Sequence, residues 1–592
     1  MRKTILLLSL LCISLLQPLF AEKKMEVKIE GIDNKKALEN AQNAAEIYAL
    51  NNKKAPDELR IKWLYEEGSR EIANALQPFG YYKADIKGDL IFQPDTIIAT
   101  YNVNPGKQIP ISAIKLDITD LEEVKELPSK NAQKEYRAFE KILTSSKMKV
   151  GSPLNHTQYE STKSKLSDKA SELGYFDAFY PHHQLLVNLA TYEASVNLQM
   201  TLGPRYLFGD STFHQDYFSD QFLDRFVANM QEYSEYSDAK LIELQSNFNE
   251  SGYFEEVVIA PQINYEDKIV PLNIYLKPRK KRTLTLGFGY SSDIGIKAMA
   301  GVDWHYINQY GHRLTTNLLW AQKRHEGVIN YEIPGKDPIR DKYNIYLNYN
   351  YEDTSTKDYT TYLTGVSRTR LRDKYSFGYS LHYQYDKFRD VDGSNQTSSL
   401  IVPTIFGEWK TTDIVPYNRF GLKVAGKIRG SVKNVGADIS FLQASIMTQL
   451  FVPITDSNRF NLRGGLGYTK IKNEDLRKLP PSLRFYVGGD NTVRGYKFDG
   501  IGVKGYNGDI YGGKKMTFMS VELEHKLTPN FAMVTFVDAG DAYNDKVNLK
   551  YGAGAGIRWY SPIGTVKLDL AHGFDKEFGE TVRLHLNIGT DL

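Results

Sequence analysis

The chain has 592 residues, more than one compact domain usually holds, so several domains are expected. Its 74 basic and 71 acidic side chains leave a net charge of only +3, which argues against a nucleic-acid binder. With 40 tyrosines and 45 glycines beside a single cysteine, the composition is unlike that of a soluble enzyme and suits a membrane barrel, whose interfaces carry aromatic girdles.

The first predicted element is an export signal. Arg2 and Lys3 open it, Ile5 to Leu16 is an apolar run, and Ala21 supplies the small residue at which residues 1–21 would be cut. The run is short for a membrane-spanning helix. Cys12 lies inside it. A lipoprotein signal is the alternative reading, weakened by Leu11 standing where a small residue is wanted. Cleavage after Ala21 would leave a chain with no thiol, suited to an oxidising periplasm. No later stretch is apolar for long enough to span as a helix.

A repeating pattern follows. Helical sequence ends in Gly-Tyr-aromatic, then two short strands lead to a proline-containing turn. The signposts are Phe79-Gly80-Tyr81-Tyr82 with Asn104-Pro105-Gly106, Leu173-Gly174-Tyr175-Phe176 with Leu202-Gly203-Pro204, and Ser251-Gly252-Tyr253-Phe254 with Lys277-Pro278. Three modules of strand–helix–helix–strand–strand are predicted, over residues 22–107, 108–204 and 205–280. In the third, Leu241, Leu244 and Phe248 share a helical face. In the second, Thr157 and Glu160 have capping-box spacing. The glycine after each second helix fits a left-handed C-cap. Tyr81, Tyr175 and Tyr253 are expected to be core residues. A small sheet with an exposed edge could accept a strand from an unfolded chain by backbone pairing. His182-His183 is a weak metal signal, and a solvated turn is the expected setting. Arg279-Lys280-Lys281-Arg282 reads equally well as a contact for anionic headgroups or as a solvated linker.

From Thr283 onward the period changes to two. Tyr343, Ile345, Leu347, Tyr349 and Tyr351 alternate with Asn344, Tyr346, Asn348 and Asn350. Phe377, Tyr379, Leu381, Tyr383 and Tyr385 alternate with Gly378, Ser380, His382 and Gln384. Such strands carry a lipid-facing and a lumen-facing side, and in lipid the sheet must close. At about 19 residues per strand and turn, residues 281–592 hold about sixteen antiparallel transmembrane strands. The predicted fold is therefore α+β repeats followed by a 16-stranded barrel.

The segment Phe485-Tyr486-Val487-Gly488-Gly489-Asp490-Asn491-Thr492-Val493-Arg494-Gly495-Tyr496, with Phe536-Val537-Asp538 further on, resembles the paired motifs of the BamA/TamA superfamily of outer-membrane assembly factors. The glycine series Gly552-Ala553-Gly554-Ala555-Gly556 adds to the match, and it lacks the strand–loop–helix setting of a nucleotide loop. The resemblance implies that the modules are POTRA domains and that the long loop folds into the lumen. There Gly488, Gly489, Val493, Arg494, Gly495 and Tyr496 would lock against Phe536 and Asp538. Three modules favour the TamA-type branch. That branch implies insertion of autotransporters and other unfolded β-barrel clients, contact with outer-membrane lipids, and a large inner-membrane partner of the TamB type. A weak seam between the first and last strands would bring Leu284, Leu286 and Phe288 beside Leu584, Leu586 and Ile588. A two-partner secretion pore and a passive channel are the rival readings. No metalloprotease, serine-hydrolase or Walker motif is present, so no enzyme activity, metal or cofactor is expected.

Overall fold

A computed structural model describes residues 23–126, 131–228, 230, 233–354, 356–390, 392–412, 419–505, 508–561, 564–578 and 582–589. The predicted signal at residues 1–21 lies outside them. The chain forms two compact units, and the division passes through the third module. One unit holds the first two modules, and the other holds the barrel with the helices of the third.

Each module has a three-stranded sheet whose last strand lies between the first two. In the first module the central strand Thr96–Asn104 runs parallel to Lys24–Glu30 and antiparallel to Asp85–Phe92. Its alternation buries Ile97, Ala99, Tyr101 and Val103. The helix Glu58–Leu76 presents Ile61, Leu64, Ile72 and Leu76 to the same core at helical spacing. The second module repeats the scheme with Ala194, Val196, Leu198 and Met200.

Gly80, Gly174 and Gly252 have φ of +89°, +81° and +72°, the left-handed turn predicted after each second helix. The site does a second job at Gly80, where a Cβ would stand 2.6 Å from the Leu154 carbonyl of the next module. Tyr175 and Tyr253 are buried and Tyr81 is half-buried, as core residues. Tyr253 does more than pack. Its hydroxyl donates to the Gly311 carbonyl of a barrel turn at 2.7 Å, and the Arg313 guanidinium stacks 3.9 Å from its ring centre.

Two local expectations need correction. The last helix of module two, His156–Glu172, which follows the helices Leu121–Glu126 and Ala132–Thr144 where one is expected, is capped by Asn155, whose side chain accepts from the Gln158 N–H. Asn competes at least as well as Thr for a cap, so the helix starts before Thr157 and Glu160. His182 and His183 lie on the strand Phe179–Asn188 rather than in a turn, both exposed. The outer position of that strand in its sheet leaves polar side chains solvated on both faces.

The sixteen barrel strands run from Arg282–Ser291 to Arg583–Gly589, each beside its neighbours in chain order. In the fifth strand, Asp341–Asp353, the large apolar positions Tyr343, Ile345, Leu347 and Tyr349 are exposed. In the seventh, Tyr375–Arg389, Phe377, Tyr379, Leu381 and Tyr383 point out while His382, Gln384 and Asp386 are buried in the bore. The apolar face is thus the outer face, and the sheet curls round until its first and last strands meet.

The basic run before the barrel is held by its backbone. The Arg279 N–H donates to the Tyr253 carbonyl at 2.8 Å, and the Tyr306 hydroxyl donates to the Arg279 carbonyl at 2.9 Å. The four side chains remain exposed.

Candidate functional site: the lumen loop and the barrel seam

The eleventh and twelfth strands, Asn458–Ile471 and Lys515–Thr528, are joined by a long loop that turns into the bore. Its start is pinned by short helical turns at Asn473–Lys478 and Pro481–Leu483. Leu479 and Leu483 pack with Leu400, Val402, Ile439 and Phe441. Ser482 Oγ donates to Asp386 Oδ1 at 3.0 Å. Further on, Phe485, Val487, Val493, Tyr496 and Ile501 form an apolar seat against Met516, Phe518 and Ala542.

Arg494 is the centre of the contact and is 1 % exposed. Its Nε and Nη2 donate to the two oxygens of Asp538 at 2.8 and 2.9 Å, and its backbone N–H donates to Asp538 Oδ2 at 3.0 Å. The planar guanidinium fork matches a carboxylate in this bidentate way. Nη1 reaches Glu522 Oε2 at 2.6 Å and Asp569 Oδ2 at 3.2 Å, and Nη2 donates to Ser520 Oγ at 3.2 Å. The Arg494 guanidinium carbon lies 3.3 Å from the centre of the Phe536 ring. The expected partners Phe536 and Asp538 are therefore both in place, on one face of the strand Phe531–Tyr543.

Three carboxylates around one arginine would be costly in a buried site. Arg558 offsets them, with Nη2 3.0 Å from Asp569 Oδ2 and 3.1 Å from Glu522 Oε2. Arg463 lies alongside, its Nη2 donating to Ser520 Oγ at 3.2 Å. Backbone approach explains the glycines. A Cβ on Gly552 would stand 2.0 Å from the Arg494 carbonyl, and one on Gly495 would stand 2.6 Å from the Gly573 nitrogen. Loop and wall meet main chain to main chain. Tyr496 completes the contact by donating its hydroxyl to the Tyr551 carbonyl at 2.8 Å. Gly488 and Gly489, both at positive φ, make the turn that precedes Arg494.

Sequence reasoning missed Glu522, Asp569, Arg558, Arg463 and Ser520. A partial signal existed. Met516, Phe518, Ser520, Glu522 and Glu524 alternate along one strand, and all five are buried. Acids on the inward set mark a polar lumen wall, but the period does not say which loop residue meets them.

The first and last strands approach at Ser291 and Asn587, which sets Leu284, Leu286 and Phe288 further along the first strand rather than directly opposite Leu584, Leu586 and Ile588. Leu284, Leu286, Phe288 and Leu584 are exposed on the outer face. Leu586 is half-buried, and the Ile588 backbone pairs with Val566 of the preceding strand. The first strand pairs with the second along all ten of its residues. Among the described residues it shares one register pair with the last strand, Ser291 with Asn587, beside a Ser292 N–H donated to the Leu586 carbonyl at 3.0 Å.

A closed sixteen-strand barrel with lipid facing out, a charge-locked loop in its bore and α/β modules before it defines an outer-membrane barrel protein with a periplasmic arm. The barrel belongs to the Omp85 superfamily. Residues 308–592 match the Omp85 superfamily domain, and residues 26–105 match the first POTRA domain of the TamA type. The outer membrane protein assembly factor BamA of Neisseria meningitidis serogroup B is 23 % identical over 447 residues, covering 63 % of this chain and 54 % of that protein. BamA of Nitratidesulfovibrio vulgaris is 21 % identical over 376 residues, covering 59 % and 46 %. The chain spans about half the length of the curated relatives it matches. The crystal structure of BamA from Haemophilus ducreyi lacking POTRA domains 1–3 shares the fold, with a TM-score of 0.67 at 18 % identity over 81 % of this chain and 99 % of that one.

Proposed function

We propose that this protein is an outer-membrane assembly factor of the TamA type, which inserts autotransporters and other β-barrel clients through a lateral seam. The observation that carries the reading is the contrast in backbone pairing among the described residues: ten residues join the first strand to the second, and one register pair joins it to the last. Elsewhere in the barrel each opening would strand a whole ladder of N–H and C=O groups in hydrocarbon. At the seam the loss is small, and an incoming strand restores it by pairing with the freed edge.

In this reading residues 281–592 form the barrel, and residues 22–107, 108–204 and 205–280 form a periplasmic arm. The outer strands Asp85–Phe92 and Phe179–Asn188 offer the arm's edges to unfolded clients. Ile91 and Leu186, exposed on these strands, give such a client apolar contact beside the backbone pairing. Gly488, Gly489, Val493, Arg494, Gly495 and Tyr496, with Phe536 and Asp538, hold the lumen loop in place during the cycle. The apolar outer belt contacts lipid, and the arm docks a large inner-membrane partner of the TamB type. With no nucleotide chemistry in the scheme, insertion runs on strand pairing and burial in lipid.

The test is a disulfide across the seam. Cysteines at Gly289 and Gly589 continue the Ser291–Asn587 register outward along both strands. Oxidation is expected to stop assembly of an autotransporter client in vesicles carrying the protein, and reductant to restore it. Full client assembly by the oxidised, cross-linked form rules the lateral route out.

A further inference from the structure

Among the described residues the seam has little backbone pairing, yet polar side chains crowd the register pair of Ser291 with Asn587. His585 stands on the last strand, two residues before Asn587, and is buried. Asp293 stands in the first hairpin, two residues beyond Ser291, and is also buried. Between them is Asp490, which belongs to neither strand. It follows Gly488-Gly489 on the lumen loop.

Asp490 touches both sides. Its Oδ1 lies 2.5 Å from His585 Nδ1. The direction of that bond is fixed from the other ring nitrogen. The Gly495 N–H donates to His585 Nε2 at 3.1 Å, so Nε2 is the acceptor and the imidazole proton sits on Nδ1, pointing at Asp490. Toward the first hairpin, the Asp490 backbone N–H donates to Asp293 Oδ2 at 3.2 Å. The Ser292 and Ser291 hydroxyls approach the Asp490 carboxylate at the longer distances of 3.4 and 3.5 Å.

The ligand atoms of Asp293, Asp490 and His585 lie within 4.8 Å of one another, a spacing that a divalent cation could use. The imidazole speaks against it. A metal-bound histidine donates with its free nitrogen, and His585 accepts there. Metal at Nδ1 would force a proton onto Nε2, facing the Gly495 N–H. The cluster is built as a hydrogen-bonded bridge.

We propose that Asp490 is a positioning residue that latches the barrel seam, the lumen loop thereby joining the first hairpin to the last strand. Loop and seam then share one equilibrium. Gly495, which orients His585, adjoins Arg494, so the lock on Asp538 and the latch at the seam sit on one short stretch of chain. Whatever steadies the docked loop closes the seam, and by linkage whatever opens the seam loosens the loop. This rests on the lateral-seam reading only for its consequence in client insertion. The latch itself is a property of the barrel at rest.

The test measures the seam with no client present. Spin labels go on cysteines at Phe288 and Leu584, both exposed on the outer face beside the seam. Cys12, the one cysteine of the sequence, is replaced by serine. Full-length protein in lipid nanodiscs is expected to give one narrow distance peak. Asp490→Ala and His585→Phe should each lose that peak to a broad, longer distribution. The pair combined should broaden it by less than the sum of the two single changes, because both remove the Asp490–His585 contact. Asp490→Asn, which keeps an acceptor oxygen, should fall between wild type and Asp490→Ala, and it decides the matter if the alanine form fails to fold. A heat-modifiable gel shift identifies the folded barrels. An unchanged narrow peak in folded Asp490→Asn and His585→Phe overturns the latch, as does strictly additive broadening in the double variant. Client assembly is scored separately. A broadened seam with undiminished assembly sinks the lateral route and leaves the latch standing, and a narrow seam with lost assembly does the reverse.

Discussion

The modules and the barrel place the same residue types in opposite positions. In the second module Phe139 and Leu166 are buried in an apolar core, and apart from Glu135, which is buried against Arg205, the charged side chains of its helices lie toward the surface. In the barrel Phe377, Tyr379 and Leu381 face out, and Arg494, Asp538 and Glu522 are buried. The difference follows from the solvent on the far side of each wall. Water outside the modules drives apolar groups inward, and hydrocarbon outside the barrel leaves the bore as the one place for charge. Burial in the barrel therefore requires pairing, and the ion network around Arg494 is the barrel's counterpart of a hydrophobic core.

Two truncations should separate these regimes most strongly. Arg494→Ala leaves the Asp538 carboxylate buried without its bidentate partner, and breaking a buried pair in this way costs about 3–5 kcal/mol. The expected result is a barrel that loses its heat-modifiable gel shift at lower temperature while the modules melt as before. Phe139→Ala in the second module is expected to cost a similar 3–5 kcal/mol or so through a cavity, with the reverse pattern in calorimetry. If both changes lower the same transition, the two regions are not energetically separate.

Leu347→Arg probes the outer wall. Leu347 is the middle residue of the fifth strand and faces out, so a charge there should cost about 2–4 kcal/mol in lipid-vesicle refolding. The same substitution at Asn348, on the lumen side, should cost far less. Equal costs at the two positions would show that the outer face does not meet lipid.

The smallest effect concerns acid. His156 in the second module lies 2.7 Å from the Tyr82 hydroxyl, and burial holds its pKa below the ordinary 6.5. The folded module thus prefers neutral histidine. Its contribution is fully present above pH 6.5 and declines as pH falls through the lowered value. A chemical-denaturation series should show the module weakening in mild acid, and His156→Gln should flatten that slope. The barrel transition should not follow it.

Local residue pattern was enough to set the kinds of element and their order. The helical period placed Leu244 and Phe248 on a core face, and the period of two placed Tyr343 to Tyr349 on an outer one, because both periods are set by local backbone geometry. The glycine turns were legible for the same reason. A helix start was misplaced at Thr157, since Asn155 caps equally well from nearby and spacing alone does not choose between them. Arg494 with Phe536 and Asp538 was legible through family resemblance. Glu522, Asp569 and Arg558 were not, because partners from separate strands meet only when the sheet curls and closes. The register pair of Ser291 with Asn587, and the place of Asp490 beside it, were likewise decided by closure. Which strands zip fully and which barely touch depends on how the ends of a cylinder meet, and no local pattern encodes that.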